Sequence, residues 1–434
     1  RDGSTNFGPN NKFGFFPSLS LGWVASDESF LQDSKIFDFL KLRGSYGIIG
    51  NDRIGAFRFE SLLSGEGTYV FDNTLFFGTA IGAISNPDIK WEEQVTLDFG
   101  VDSRFLSGKL TFEMDYFNRE TRDLLLVVQT SGTTGSTAPG SGNPVANAGS
   151  VRNSGFELSL GYKENFGNDF TFGVNYNLTT LDNEVLSVNN GVGYEVGGGF
   201  GIGQDPPARM EEGFPIGYFY GYQTQGIFQT QDEADNAPSQ IALGALARAG
   251  DIRFADLNGD GVINTQDKTY IGDPIPDVTM GLNLSFKYKN FDFQSYFFAS
   301  LGNEIVRNYE RNDRFTNRTS YYLNRWTGPG SSNEFPRVTT AATSNLVFSD
   351  FYVEDGSFLR AQNMQLGFSL GDELLEKFKL SKLRVYFSAS NVFTLTKYRG
   401  YDPTSSNGSP IGSGFDPGFY PTPRTYLLGA NIKL

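Results

Sequence analysis

The C-terminal segment of the chain alternates between two kinds of side chain. In an extended backbone, successive side chains point to opposite faces. One face carries Tyr426, Leu428, Ala430, Ile432 and Leu434, and the other carries Thr425, Leu427, Gly429, Asn431 and Lys433. The apolar face needs either a covering protein layer or membrane hydrocarbon, since the strands of transmembrane barrels alternate in this way. The rest of the sequence has to show which of these two environments applies.

The same period-two pattern recurs along the whole chain and predicts eleven strands. The predicted strands lie at 16–24, 39–48, 94–102, 110–116, 156–162, 170–178, 280–288, 291–297, 357–370, 382–394 and 421–434. Short connections between them, near 26–37, 105–108, 164–168, 289–290 and 371–380, alternate with long ones near 50–90, 121–152, 182–276, 302–355 and 395–420. An up-and-down barrel places every second connection on the same rim, and outer-membrane barrels have short periplasmic turns and long extracellular loops. A β-sandwich has no reason to sort its loops, and a propeller would show a repeat.

The odd strand count limits what the chain can be. Single-chain bacterial barrels have even strand numbers. The eleven strands therefore predict the C-terminal part of a larger barrel, unless one strand has been missed, most plausibly at 122–130. Two unpaired strand edges in lipid would leave backbone groups unsatisfied.

Composition excludes several classes of protein. The chain has no Cys and no His, which removes thiolate chemistry, the usual general base and the commonest metal ligand. We therefore expect no enzyme and no catalytic residues. A net charge of −14 argues against nucleic acid as a partner. No apolar run approaches the roughly 18 residues of a membrane helix.

One segment of a long connection fits the template of a calcium-binding loop. Oxygen ligands at positions 1, 3, 5, 7, 9 and 12, with Gly at position 6, wrap around a point. The matching residues are Asp256, Asn258, Asp260, Val262 (through its carbonyl), Asn264 and Asp267, with Gly261 at the sharp turn. Asp at position 12 replaces the usual Glu, which predicts weak Ca²⁺ binding. The alternative is a loop of Asx turns that binds nothing.

Two further segments of the same connection carry structural expectations. The run Tyr218–Tyr222 could stack on sugar rings or peptide side chains, but packing of the loop against the barrel wall is the preferred reading. Residues 239–249 show a helical pattern and predict an amphipathic loop helix.

Several stretches together resemble the SusC/RagA-type TonB-dependent outer-membrane transporters. The stretches are SNPDIKWEEQVTLDFGVDSRFLSGKLTFEMDYFNRETRDLL at 85–125, NSGFELSLGY at 153–162, GYFYGYQTQGIFQ at 217–229, GDIRFADLNGDGVINTQDKTYIGDPIPDVTMGLNLSFKYKNFDF at 250–293, FLRAQNMQLGFSL at 358–370, LRVYFSASNVFTLTKYRGYDP at 383–403 and YPTPRTYLLGANIKL at 420–434. The combination covers nearly the whole chain.

The resemblance implies an all-β transmembrane antiparallel barrel of about 22 strands with a plug. Residues 1–434 would form the C-terminal half of that barrel, 182–276 a large extracellular loop insertion, and the plug would lie outside this chain. The implied function is active import of bulky nutrients, oligosaccharide or peptide, across the outer membrane of a Gram-negative bacterium. The implied partners are a SusD-like surface lipoprotein as lid, the TonB-ExbB-ExbD complex reached through the missing N-terminal part, and outer-membrane lipids.

The polar strand faces would then line the lumen. The predicted lumen residues are Lys41, Arg43, Gln94, Asp98, Glu113, Asn175, Asn177, Asn283 and Gln362. Two other functions stay open at this point. The chain could belong to a passive porin or a structural barrel subunit of a larger envelope complex, or it could be a soluble calcium-binding surface β-protein. The last alternative requires Leu97, Phe112 and Leu428 to point into a packed protein interior.

Overall fold

One antiparallel sheet dominates the computed structural model of this chain. The structure describes residues 1–32, 34–63, 65–128, 130, 133, 142–167, 169–189, 191–201, 203–309, 319–406 and 408–434. The main path of the sheet has eleven strands in these residues, as the sequence predicts. They are β1 (Ser18–Val24), β2 (Phe39–Asn51), β3 (Glu92–Phe105), β4 (Leu110–Arg122), β5 (Gly149–Phe166), β6 (Phe170–Thr180), β7 (Val278–Tyr288), β8 (Phe291–Leu301), β9 (Phe358–Ser369), β10 (Lys382–Thr396) and β11 (Thr425–Lys433).

Strands with consecutive numbers, from β1 to β11, are hydrogen-bonded to each other, and all of these pairings are antiparallel. This is the up-and-down order. The sheet is not closed, because β1 and β11 do not pair with each other in the described residues. The predicted fold class, an antiparallel barrel wall, is confirmed.

Much of the apolar face of the wall is not covered by the described part of the chain. Leu97 in the middle of β3 is 38% exposed, and Leu428 in β11 is 78% exposed. Phe112 in β4 is partly exposed. These side chains do not lie in a packed interior, which is what a soluble β-protein would require. In a membrane they would contact lipid tails.

The connections alternate in length as predicted. The short ones follow β1, β3, β5, β7 and β9, and the long ones follow β2, β4, β6, β8 and β10. All short connections therefore lie on one edge of the sheet, the short-link rim, and all long ones on the other, the long-loop rim. One short connection contains the helix Asp372–Phe378, and another contains the 3-10 helix Ala25–Asp27. No helix in the described ranges is long and apolar enough to cross a membrane.

The long connections form small sheets of their own. Residues 181–277, between β6 and β7, contain Asp182–Val188, which pairs with β5, and a four-stranded sheet of Tyr194–Gly197, Ala208–Glu211, Tyr218–Tyr222 and Lys268–Tyr270. Thr224–Ile227 pairs with Ile252–Phe254, and Glu304–Arg307 lies between Val353–Asp355 and Phe415–Asp416. Smaller pairs join Asp2–Gly3 to Phe13–Gly14, Gly65–Glu66 to Thr79–Ala80, Tyr69–Phe71 to Thr74–Phe76 and Leu125–Val127 to Val145–Asn147. The other 3-10 helices in the described residues are Ile241–Leu243, Thr265–Asp267, Ser320–Asn324, Ser344–Leu346 and Asp350–Tyr352.

The structure decides two local predictions, the loop helix at 239–249 and the additional strand at 122–130. The helix predicted at 239–249 is wrong: only the 3-10 turn Ile241–Leu243 forms, because Gly244 adopts a left-handed φ of 107° directly after it. The α-helix of this connection is Gln231–Asp235, where the Thr230 side chain accepts a hydrogen bond from the Glu233 N–H. Within 122–130, Leu125–Val127 pairs only with a loop strand, so it adds no barrel strand; residue 129 is outside the described residues.

A charge placed on the two faces of β7 should have unequal effects. Leu284 lies on the apolar face in the middle of this strand, and Asn283 lies next to it on the polar face. We expect Leu284→Arg to lower the free energy of unfolding of the full-length natural protein in lipid vesicles by about 2–4 kcal/mol. Asn283→Arg should cost much less because its side chain stays in water. Urea titration monitored by tryptophan fluorescence measures both, and equal losses would contradict a lipid-facing Leu284.

Candidate functional site: the polar wall and the loop cluster

The polar face of the sheet brings the predicted lumen residues together. Asn175 and Asn283 are direct neighbours across β6 and β7, and Asn177 lies beside Gly281. Lys41 pairs with Asp102 across β2 and β3, and Asp102 in turn lies opposite Glu113. Gln362 is different, because it lies at a bulge of β9 where the register with both neighbouring strands shifts. Simple alternation therefore does not assign its face.

Arg43 organises the first charged cluster of this wall. Its Nε donates to Asp102 Oδ1 over 2.9 Å, and its Nη2 donates to Asp115 Oδ2 over 2.6 Å. Asp98 lies at 3.5 Å from Nη1. The guanidinium crosses over Gly100, where a Cβ would overlap both Arg43 and Asp115. Glycine at this position is thus needed for the cluster to form.

Arg384 in β10 repeats this arrangement eight strands away. It donates from Nε to Asp292 Oδ1 over 2.9 Å and from Nη2 to Gln365 Oε1 over 2.9 Å. A Cβ on Gly367 would overlap it. Both arginines lie in the part of the wall nearest the short-link rim. Partly exposed ion pairs stabilise a fold by little, about 0–1 kcal/mol each. Their effect is to hold a charged lining in place.

Over the long-loop rim, distant loop segments share one hydrophobic core. Its buried members are Phe200, Ala208, Phe219, Val306, Phe348, Tyr352 and Phe415. They come from three of the long connections. In the run Tyr218–Tyr222, Phe219 belongs to this core and Tyr222 to a second cluster of loop residues, and Tyr218 is buried as well. The run therefore packs within the protein, but the prediction that it packs against the barrel wall is wrong, because its partners are other loop residues.

A buried carboxylate clasps two of the long connections together. Asp251, fully buried in the connection between β6 and β7, accepts hydrogen bonds from Arg337 Nε over 2.7 Å and Nη2 over 3.0 Å. Thr343 and Asn345 donate to the same carboxylate. The clasp joins residues 86 positions apart. Sequence patterning gave no signal for it.

A second clasp fastens the connection between β10 and β11 to the wall. Arg360 of β9 donates from Nη2 to Asp402 Oδ1 over 2.6 Å. Burial alone would raise the pKa of Asp402, but hydrogen bonds from the Thr422 and Thr404 backbone N–H groups and from Arg360 hold that pKa well below its usual range. Asp402 is thus a carboxylate at neutral pH, and it keeps the loop docked.

The predicted calcium ligands form a compact, self-bonded loop. Asp256 accepts hydrogen bonds from the N–H groups of Gly259 over 2.7 Å and Gly261 over 2.8 Å. The loop turns at Gly261, whose φ is 83°. Asn258, Asp260 and Asn264 each accept a bond from the N–H two residues later, while the carbonyl of Val262 accepts a longer one from the Asn264 amide.

Asp267 does not join the other acids of this loop. It is fully buried and accepts hydrogen bonds from the N–H groups of Leu257 and Asn264. Across the described ranges, no three His, Cys, Asp or Glu side chains converge to hold a metal. Oxygen donors that suit Ca²⁺ are nevertheless present on Asp256, Asn258, Asp260 and Asn264.

Comparison with known proteins places this architecture. A family model described as "TonB dependent receptor-like, beta-barrel" matches residues 1–209. TonB-dependent receptor P3 of Formosa agariphila is 34% identical over 448 residues, and TonB-dependent receptor SusC of Bacteroides thetaiotaomicron is 32% identical over 444 residues. Each alignment covers 100% of this chain. Along its whole length the chain is similar to TonB-dependent receptors, and their β-barrel is the family that residues 1–209 match.

Solved structures agree on the fold. The RagAB peptide transporter superposes with a TM-score of 0.81 at 24% identity, covering 100% of this chain and 44% of that one. Its "open-open" state gives 0.77 at 23% identity. The chain spans less than half of its relatives, 43% of receptor P3 and 41% of SusC. TonB-dependent receptors of this type are outer-membrane proteins of Gram-negative bacteria, and so is this one.

Removing the charge of Asp251 should loosen the loop cluster of this protein. Asp251→Asn leaves Arg337 without its carboxylate in a buried site, and breaking such a pair costs about 3–5 kcal/mol. We expect proteolysis of the connections 181–277 and 302–357 in the folded protein to become faster by at least tenfold. Asp169→Asn, which breaks an exposed pair with Lys289, is the matched control and should change nothing. Unchanged proteolysis of the Asp251 variant would show that the clasp does not hold the loops.

Proposed function

We propose that this chain forms wall and loops of an outer-membrane importer of bulky nutrients, oligosaccharide or peptide. The observation that carries the proposal is the loop cluster, which three long connections build over a barrel wall with a charged polar face. A rigid cluster at the mouth of a water-lined wall can bind a ligand before it enters. A passive pore does not need long connections that share a hydrophobic core.

The remaining parts of the proposal come from the relatives. One relative is named SusC, and one of the similar solved structures is that of the RagAB peptide importer. We propose that a SusD-like lipoprotein covers the long-loop rim, and that the TonB-ExbB-ExbD complex supplies energy through a part of the protein outside this chain. The residues 1–434 would be the C-terminal half of the barrel, with 182–276 as its large extracellular insertion.

Energy dependence separates this importer from a passive porin. Uptake of a panel of fluorescent oligosaccharides and tryptic peptides is measured in the native bacterium, with the gene deleted and with it restored. We expect uptake of at least one compound to require the gene and to fall at least tenfold with a protonophore. Uptake that requires the gene but is not reduced by the protonophore would indicate a passive pore. If no compound depends on the gene, a structural subunit is the better interpretation.

We also propose that the loop 256–267 binds Ca²⁺ weakly, with a dissociation constant of about 10⁻⁴–10⁻³ M as in extracellular sites. Support comes from the oxygen-rich spacing and from the turn at Gly261. The donors would be Asp256, Asn258, Asp260, Asn264 and the carbonyl of Val262. Asp267 would contribute by fixing the backbone, since its oxygens already accept two N–H groups.

Calcium titration of the purified full-length protein tests this loop. We expect millimolar CaCl₂, after removal of metal with EGTA, to raise the melting temperature and to protect the loop from proteolysis. Asp260→Asn should abolish both effects because it removes a charged ligand. Asp72→Asn, at an exposed hairpin turn, should leave them unchanged. The proposed site would be wrong if the calcium response persisted in Asp260→Asn, or if wild type showed no response up to about 10 mM CaCl₂.

A further inference from the structure

The four-stranded loop sheet has one face that is only partly buried: Tyr222 is buried, whereas Tyr194, Arg209, Tyr220 and Lys268 are half-buried. Antiparallel pairing sets Val196 opposite Arg209, Arg209 opposite Tyr218, and Tyr222 opposite Lys268. Alternation then puts Tyr194, Arg209, Tyr220, Tyr222 and Lys268 on the same face. The opposite face carries Ala208 and Phe219, which belong to the loop core. Packing of the loops thus accounts for the face of Ala208 and Phe219 and for Tyr222 on the other face, but it leaves Arg209 and Lys268 half-buried.

This cationic aromatic face borders a pocket of about 550 Å³. Arg209 lies in it as a fixed group. Its guanidinium carbon is 4.2 Å from the centroid of the Tyr194 ring and 3.4 Å from that of Tyr220. Its Nη1 is 3.3 Å from Glu211 Oε2. Stacking between two rings orients the fork of N–H donors, and Glu211 offsets part of its charge.

Lys268 differs from Arg209 because no carboxylate of the described residues forms an ion pair with it. Its ammonium nitrogen is 5.6 Å from the centroid of Tyr222, and in the described residues its side chain has no ion pair and no hydrogen bond. Burial lowers the pKa of Lys268, with a further contribution from Arg209, whereas Asp205 acts to raise it. Asp205 is exposed and also lines the pocket. A half-buried ammonium of this kind gains from an anion that enters the pocket.

We propose that this pocket binds a carboxylate group of the imported ligand, with Lys268 as its main cationic contact and Arg209 as a second donor. The proposal rests on the import function above and names its substrate class: an acidic oligosaccharide or an acidic peptide. Asp205 competes with the ligand carboxylate for Lys268. The tyrosine rings provide apolar surface for the part of the ligand that carries the acid.

Binding of defined probes to the full-length natural protein in detergent tests the proposal. The probes are trigalacturonate, triglutamate and the neutral sugar maltotriose, measured by calorimetry at two salt concentrations. At least one acidic probe should bind, more weakly at high salt, and maltotriose should not compete with it. Lys268→Met should weaken this binding roughly tenfold or more, as expected for the loss of a charge-assisted contact. Asp205→Asn should strengthen it.

The exposed Lys12 supplies the matched control, since Lys12→Met removes the same charge outside the pocket and should leave binding unchanged. Binding of trigalacturonate alone assigns an acidic sugar, and binding of triglutamate alone assigns a peptide. Absence of binding by both acidic probes, or equal binding by wild type and Lys268→Met, overturns the site. If the site fails but Lys268→Met cells keep energy-dependent uptake, the proposed import function remains supported. Failure of the site and failure of the proposed function are therefore distinguishable.

Discussion

Hydrogen bonding between neighbouring strands is the constraint on which the whole arrangement depends. Hydrocarbon offers no partner for backbone N–H and C=O groups, so each strand of the wall has to bond to the next. In this chain β1 to β11 satisfy each other in sequence order. Once that ladder exists, the period of two sends every second side chain to lipid and the rest to water. The polar wall and the apolar belt are two results of one backbone pattern.

The ladder also determines what the loops can do. Strands lie about 5 Å apart, so the long connections leave the rim side by side and meet one another. The shared core around Phe219 and Phe415 forms from this proximity, with Asp251 and Asp402 as clasps. These clasps are buried charge pairs, which act less as a source of stability than as a requirement for one specific arrangement. A binding face in the loops can be precise only because they are held in this way.

Local sequence patterns predicted the strands of the wall well. The structure of the loops could not be predicted in the same way, because it depends on contacts between residues far apart in the sequence. Strand β7 was predicted within two residues because alternation is read from the strand itself. Strand β5 begins at Gly149, earlier than its apolar pattern, because its first part pairs with the loop strand Asp182–Val188. The contacts of Arg337 with Asp251 and of Lys268 with its pocket join segments that no periodicity connects. The calcium spacing was visible in sequence, but the burial of Asp267 was not.

The acidic character of the chain is compatible with a site for acids. A net charge of −14 repels anions at long range, but salt screens such repulsion beyond about 8 Å at physiological ionic strength. Lys268 and Arg209 act at contact distance inside a pocket, where screening is weak and the two cations lie on one rigid sheet face. Discrimination by charge is therefore local. An acid that reaches the pocket would exchange water for two oriented cations, while a neutral ligand would leave Lys268 with only the Tyr222 ring and the charge of Asp205.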